Sequence, residues 1–390
     1  MKYFFVLGRN PELSIAELIC FFEKEDNKII NLENKKNAVV IELENEILGK
    51  IIDKFGGIVC FGEVLANGSV KEIIDKLGKK GIYSGAKNKI NYSIFNYVEE
   101  DDFYDISEYL KSRFKEEKLK ATEKNLRGLI KMQNKEYIEI IPSKNSLDEV
   151  YFIFSFDEKN NFKEKEICFG RIIEFYNAEK IEKRDMSKPV RRQELSISPR
   201  LAKIMINLSG IKLREGEILL DAFCGIGVIL QEALLQEINV VGIDNDAEAL
   251  EGCRQNLKWF KFNEKNYQLV NADSRNVKIF NASVLVSEPY LGETFRKVPA
   301  DQKARAEISR AENLMISVLN NLKPRIKGRF VFTLPIIKTM NRDIFCNKDK
   351  ILKNTGLKLV NFSNTIDLKN PFIEIREGKI TGREIFVLEH

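Results

Sequence analysis

Three apolar runs in the second half of this 390-residue chain end in acids: Ile218 to Asp221, Asn239 to Asp244 and Tyr267 to Asp273. Each reads as a buried parallel strand. Between the first two lies a turn, Ala222-Phe-Cys-Gly-Ile-Gly227, before an apolar helical pattern from Val228. Gly225 and Gly227 let a ligand lie against bare backbone. Asp244 follows the turn by about twenty residues, the place from which a carboxylate grips ribose hydroxyls. The turn is not the dinucleotide fingerprint, because it lacks the third glycine and Asp221 beside it would repel a pyrophosphate. A nucleoside ligand with an amino group and no phosphate suits it, and S-adenosylmethionine is one. The candidate cofactor set is Asp221, Phe223, Cys224, Gly225, Gly227, Asp244, Asn245, Asp273 and Ser274. Asp273 is the expected partner of the adenine amino group.

A fourth run, Ala282-Ser-Val-Leu-Val-Ser287, continues into Glu288-Pro289-Tyr290. This resembles the Asp/Asn/Ser-Pro-Pro-Tyr/Phe signature of amino-group methyltransferases. The resemblance implies that Ser287 and a main-chain carbonyl accept hydrogen bonds from a flat exocyclic amino group, while Tyr290 stacks on the base. Methyl transfer in line with the nitrogen lone pair then depends mostly on positioning. Ser287, Glu288, Pro289 and Tyr290 are the catalytic candidates.

Composition excludes several other chemistries. The only histidine is His390, and the six cysteines (20, 60, 168, 224, 253 and 346) include no Cys-x-x-Cys pair. No zinc site, Ser-His-Asp triad or Cys-His dyad is expected. Net charge is +5 with well-mixed signs, which permits nucleic-acid binding without arguing for it. No apolar run approaches twenty residues and the N-terminus lacks a signal-peptide pattern, so no membrane association and a cytoplasmic location are expected.

A chain of this length needs more than one core. Residues 1–65 read as strand-helix-strand-strand-helix-strand, the ferredoxin-like order, with the second helix near 46–55. Residues 66–176 form a second α+β unit, with Lys87, Lys89, Lys120, Lys124, Arg127, Lys131 and Lys135 on its surface. Residues 177–210 are a basic linker and a helix from Pro199 capped by Ser198. Its Lys188, Arg191, Arg192 and Arg200 are the RNA-binding candidates. Residues 211–390 carry the acid-ended strands, a long helix near 302–321, a fifth strand near 329–334, a helix near 344–355 and a closing pair near 357–366 and 384–388.

These stretches together resemble the tRNA guanosine N2-methyltransferases that act on position 10, and their bacterial relatives. The resemblance rests on Phe5 to Leu18, on Pro189-Val-Arg-Arg192, on Ser198 to Leu208, on Asp221-Ala-Phe-Cys-Gly-Ile-Gly227, and on Gly382 to Leu388. It implies a class I (Rossmann-like) methyltransferase domain behind a ferredoxin-like domain and a THUMP-like RNA-binding domain. It also implies guanine N2 of tRNA as acceptor, and a possible activator subunit. The family has Asp-Pro-Pro where this chain has Ser287-Glu288-Pro289. A serine cannot act as a resting carboxylate, so Glu288 is the alternative acceptor if its side chain turns inward. The readings held beside this one are a ribosomal RNA guanine N2-methyltransferase, an adenine N6 methyltransferase and a catalytically weakened RNA-binding homologue.

Overall fold

The computed structural model describes the chain except residues 80–81, 84, 127, 134, 141–146, 156–165, 193–196, 279–280, 294 and 363–365, so Arg127 lies outside the described residues. The described residues divide into two compact units. Met1–Pro11, Asn27–Asp53 and Ile58–Asn177 form the first; Glu12–Asp26, Lys54–Gly57 and Ala178–His390 form the second.

The first unit contains β1 (Lys2–Leu7), β2 (Ile29–Lys35), β3 (Ala38–Leu43), β4 (Ile58–Gly68), β5 (Lys89–Tyr97), β6 (Lys120–Glu123), β7 (Gly128–Lys131), β8 (Tyr137–Ile140), β9 (Glu149–Ser155) and β10 (Ile167–Phe175). Helix α1 (Pro11–Lys24) falls in the second unit from Glu12 onward, while α2 (Val70–Gly78) and α3 (Glu100–Glu116) belong to the first. One eight-stranded sheet runs in the order β2-β3-β1-β4-β10-β9-β5-β6, and β7 pairs with β8 separately.

This differs from the boundary expected at residue 65. Strand β4 passes through that position and pairs with both β1 and β10. Its run ends only at Gly68, where Ser69 and Glu72 form a capping box that starts α2. The helix expected near 46–55 is a single 3-10 turn, Ile52–Lys54. Leu48 is 83% exposed and Gly49 sits at φ +73°, so the part before Ile51 has neither a buried face nor a helical backbone, and burial begins only at Ile51, Ile52 and Phe55.

The second unit continues with α4 (Ala178–Ser187) and α5 (Pro199–Leu208). Helix α4 lies inside the segment read as linker, and α5 has the expected cap, Leu201 N donating to Ser198 Oγ at 3.3 Å. Then come β11 (Ile218–Asp221), α6 (Val228–Leu234), β12 (Asn239–Asp244), α7 (Ala247–Trp259), β13 (Tyr267–Asn271), β14 (Val284–Ser287), α8 (Asp301–Leu322), β15 (Phe330–Lys338), β16 (Asp343–Ile344), α9 (Lys348–Thr355), β17 (Lys358–Leu359), β18 (Phe372–Glu374) and β19 (Thr381–Glu389).

The strands make a nine-stranded sheet, β13-β12-β11-β14-β15-β19-β17, with β16 on β15 and β18 on β19. Strands β11 to β15 run parallel and β19 runs antiparallel beside β15. This is the class I methyltransferase sheet. Of the strand expected over 357–366, the described residues form only Lys358–Leu359, with 363–365 outside the described residues, and the connection near 371–383 contains β18. Helix α9 begins at Lys348 because Asn347 caps it, accepting from Lys350 N. The core packs α8 through Ile308, Met315 and Leu319 onto Leu285, Phe330 and Phe332.

Candidate active site

Register places the predicted acids on one rim. Asp221 lies opposite Gly242 and Asp244 opposite Asn271, while Leu220 lies opposite Leu285, two residues before Ser287. Asp221, Asp244, Asp273 and Ser287 therefore all fall at the carboxyl end of the parallel strands, where open α/β sheets bind ligands.

The turn after β11 is held by side chains of the neighbouring strands. Gly225 N donates to Asp244 Oδ2 at 2.8 Å, and Asp246 N donates to Asp244 Oδ1 at 2.9 Å. Cys224 N donates to Ile243 O at 2.9 Å. Gly225 has φ +49° and a Cβ there would meet nothing within 4 Å, so its outer side is open. Gly227 has φ +84°, and a Cβ would lie 2.5 Å from Cys253 Sγ. Both glycines are required, one facing outward and one inward.

Asp221 is buried. Ser287 Oγ donates to its Oδ1 at 2.6 Å, and Phe223 N lies 3.2 Å from the same oxygen and 3.1 Å from Ser287 Oγ. Burial pushes the Asp221 carboxyl up to about 7, partly offset by the Ser287 and Phe223 hydrogen bonds, with the Asp244 and Glu288 charges adding to the rise. These bonds stitch the end of β14 to the turn after β11.

Other candidates take various places. Phe223 is half-buried and Asn245 is exposed beside Asp244. Cys224 is buried with its thiol beside Cys253, and that contact together with burial raises it far above an ordinary thiol. Ser274 is buried, donating from Oγ to Ala222 O at 2.6 Å. Asp273 is half-buried and bonded through both oxygens by Arg275, which holds its carboxyl below the usual range.

The signature residues differ from their sequence-based assignment. Ser287 has no exposed surface, so its hydroxyl serves Asp221 and Phe223 rather than facing the rim. Glu288 does not stand as a free acceptor. Arg383 Nε donates to its Oε2 at 2.6 Å and Arg383 Nη2 to its Oε1 at 3.2 Å, and Thr333 Oγ1 adds a bond at 3.2 Å. The Glu288 side chain is 8% exposed while the residue as a whole is half-buried, so what it presents outward is chiefly main chain. Pro289 is buried and Tyr290 is 59% exposed.

Three of the four basic candidates are engaged within their own unit. Lys188 is buried and paired with Asp185 at 2.6 Å. Arg192 donates twice to Asp246 Oδ2 at 3.1 Å, and Arg200 Nε donates to Gly56 O at 2.6 Å. Arg191 is half-buried and has no partner among the described residues. The sequence reading missed Arg383 and Thr333. The acid at 288 was the signal that a buried cation had to answer it.

Part of the chain is similar to known proteins. Residues 189–313 match the family UPF0020, RMKL-like, methyltransferase domain. A tRNA (guanine(10)-N2)-dimethyltransferase of Methanothermobacter thermautotrophicus is 39% identical over 98 residues, covering 25% of this chain and 28% of the relative. The Methanocaldococcus jannaschii protein of the same name is 30% identical over 144 residues, covering 35% of this chain and 37% of the relative. The matched stretch thus spans about a third of each relative's length. Among solved structures, TrmN from Thermus thermophilus aligns over 100% of this chain and 99% of its own, at 14% identity and a TM-score of 0.49. Among the described residues, no helix is long and apolar enough to cross a membrane.

Proposed function

We propose that the chain is an S-adenosylmethionine-dependent RNA methyltransferase that methylates guanine N2 in tRNA, at position 10, in the cytoplasm. The observation that carries the reading is the stitch between Ser287, Asp221 and Phe223, which brings the acceptor motif into bonded contact with the donor turn. Guanine N2 of tRNA is favoured over ribosomal RNA or adenine N6 by the names of the sequence relatives.

The rim fits the cofactor. A carboxylate offers about four lone-pair sites, and Asp244 uses two on backbone donors, leaving others for ribose hydroxyls. Gly225 leaves room for a ligand against the main chain. The cofactor supplies an electrophilic methyl group on a cationic sulfonium. Asp221 provides a buried negative charge near that cation when ionised. The main chain at Glu288 accepts from the target amino group and Tyr290 covers the base face. Catalysis here is positioning, with the amino lone pair aimed at the methyl. A base inside a folded tRNA must leave its stack to reach this rim. The first unit, in the place of the THUMP-like domain, grips the RNA by shape and phosphates, and Arg191 adds a phosphate contact.

The deciding experiment is methyl transfer from labelled S-adenosylmethionine to total tRNA from cells lacking the protein, followed by nucleoside analysis. Label in N2-methylguanosine or its dimethyl form, mapping to position 10, is the expected result. Label in N6-methyladenosine would reject the acceptor assignment. Label that appears only when a second protein is added would identify an activator subunit.

A further inference from the structure

Glu288 occupies a place where the resembled signature has proline. A proline ring holds φ near −65°, so the chain entering Pro289 would be fixed covalently. Glutamate gives no such constraint, although the following proline limits its ψ. Around Glu288 the structure holds a clamp instead. Arg383 on β19 grips both carboxylate oxygens, and Thr333 on β15 donates to one of them. Glu374 on β18 accepts from Arg383 Nη1 at 3.3 Å, fixing the other edge of the guanidinium. Register explains the convergence: Arg383 lies opposite Pro335 on β15 and opposite Glu374 on β18. Arg383 is 15% exposed and Glu288 8% at the side chain. Burial works against the Arg383 charge, yet Glu288 and Glu374 outweigh it and raise its pKa.

Resting on the proposed function above, we infer that Arg383 is a positioning residue for methyl transfer. Its fork on Glu288 fixes the main chain at 288 and 289, on which the target amino group is seated. Arg383 touches neither substrate nor cofactor; it acts through Glu288. The bidentate fork is what gives it direction, since a planar guanidinium locks a carboxylate in both position and rotation.

The test is the double variant E288M/R383M, which removes both charges together and leaves neither buried alone. Melting temperature, affinity for S-adenosylhomocysteine, and kcat and KM on tRNA are measured. The expected result is near-wild-type melting and ligand affinity, with kcat lower by about 100-fold, the cost of a small misplacement, and KM changed by less than about three-fold. R383K keeps the charge without the fork and is expected to lose about ten-fold in kcat at unchanged melting. If the double variant does not fold, R383K decides. A kcat within about three-fold of wild type in the folded double variant, a loss confined to KM, or an unchanged kcat in R383K when that variant decides, overturns the inference. Failure of the wild-type protein to methylate guanine N2 instead rejects the proposed function, and the two failures are therefore distinct.

Discussion

The Ser287 hydroxyl donates to Asp221 at 2.6 Å with both residues buried, so the first residue of the acceptor motif faces a buried carboxylate. This gives a physical reason for serine at 287. An aspartate there would set a second carboxylate against Asp221, and two acids so close cannot both ionise. Ser287→Asp, which restores the resembled signature, should therefore lower stability by about 3 kcal/mol, the cost of a buried unpaired charge. Asp221→Asn in the same chain should recover most of that loss. Urea unfolding of the two single variants and the double variant measures it, and additive losses would refute the contact as the cause.

Stability should also fall as pH rises through the neutral range. Burial pushes Asp221 to about 7, and burial likewise pushes Glu384, which accepts from Cys346 N at 2.6 Å, up to about 7. A folded pKa above the unfolded one means the native state binds more protons between about pH 4 and 7. Stability contributed by the protonated forms is thus complete near pH 4 and is lost progressively until about pH 7. Glu384→Gln should flatten part of this slope without changing S-adenosylhomocysteine affinity. Melting curves from pH 5 to 8 decide it, and a slope unchanged in both Glu384→Gln and Asp221→Asn would refute it.

The two turn glycines should fail in different ways. Both substitutions carry left-handed backbone strain of about 1 kcal/mol. Gly227→Ala also drives a Cβ to 2.5 Å from Cys253 Sγ inside the unit, so its total cost should reach about 3 kcal/mol. Gly225→Ala meets nothing in the protein, so its further effect should appear as weaker ligand binding. Calorimetric titration with S-adenosylhomocysteine should show a loss of about ten-fold or more for Gly225→Ala, or roughly 1.4 kcal/mol. Equal affinity with and without that Cβ would place the cofactor elsewhere.

The methyltransferase sheet was legible because a parallel strand buried on both faces is written as an apolar run with an acid at its end. The Ile218–Asp221 and Asn239–Asp244 strands appear where those runs stand. The fate of the side chains at those ends was less legible. Nothing local in Ser287-Glu288 says that serine turns inward or that glutamate meets Arg383, since the partner lies 95 residues away. The boundary at residue 65 misled for a related reason. Strand β4 is longer than one small domain needs, and its role in joining β1 to β10 follows from long-range pairing. Charge runs were the weakest guide, because a basic residue in sequence carries no sign of whether an acid already holds it.

The pair Arg191 and Arg192 tests that last point. Arg192 shares two bonds with Asp246, which caps α7 by accepting from Glu248 N and Ala249 N, and those backbone bonds with Arg192 hold the Asp246 carboxyl below its usual range. Arg192→Ala should leave stability nearly unchanged, because the pair is partly exposed and screened by solvent. Its effect on RNA affinity should be small. Arg191→Ala should leave melting unchanged and weaken tRNA binding, reducing the slope of log affinity against log salt by about one. Binding measured at several salt concentrations for both variants separates them. If Arg192→Ala loses the salt slope and Arg191→Ala does not, the arginine bonded to Asp246 leaves that carboxylate to take the phosphate, and the free side chain at 191 is surface alone.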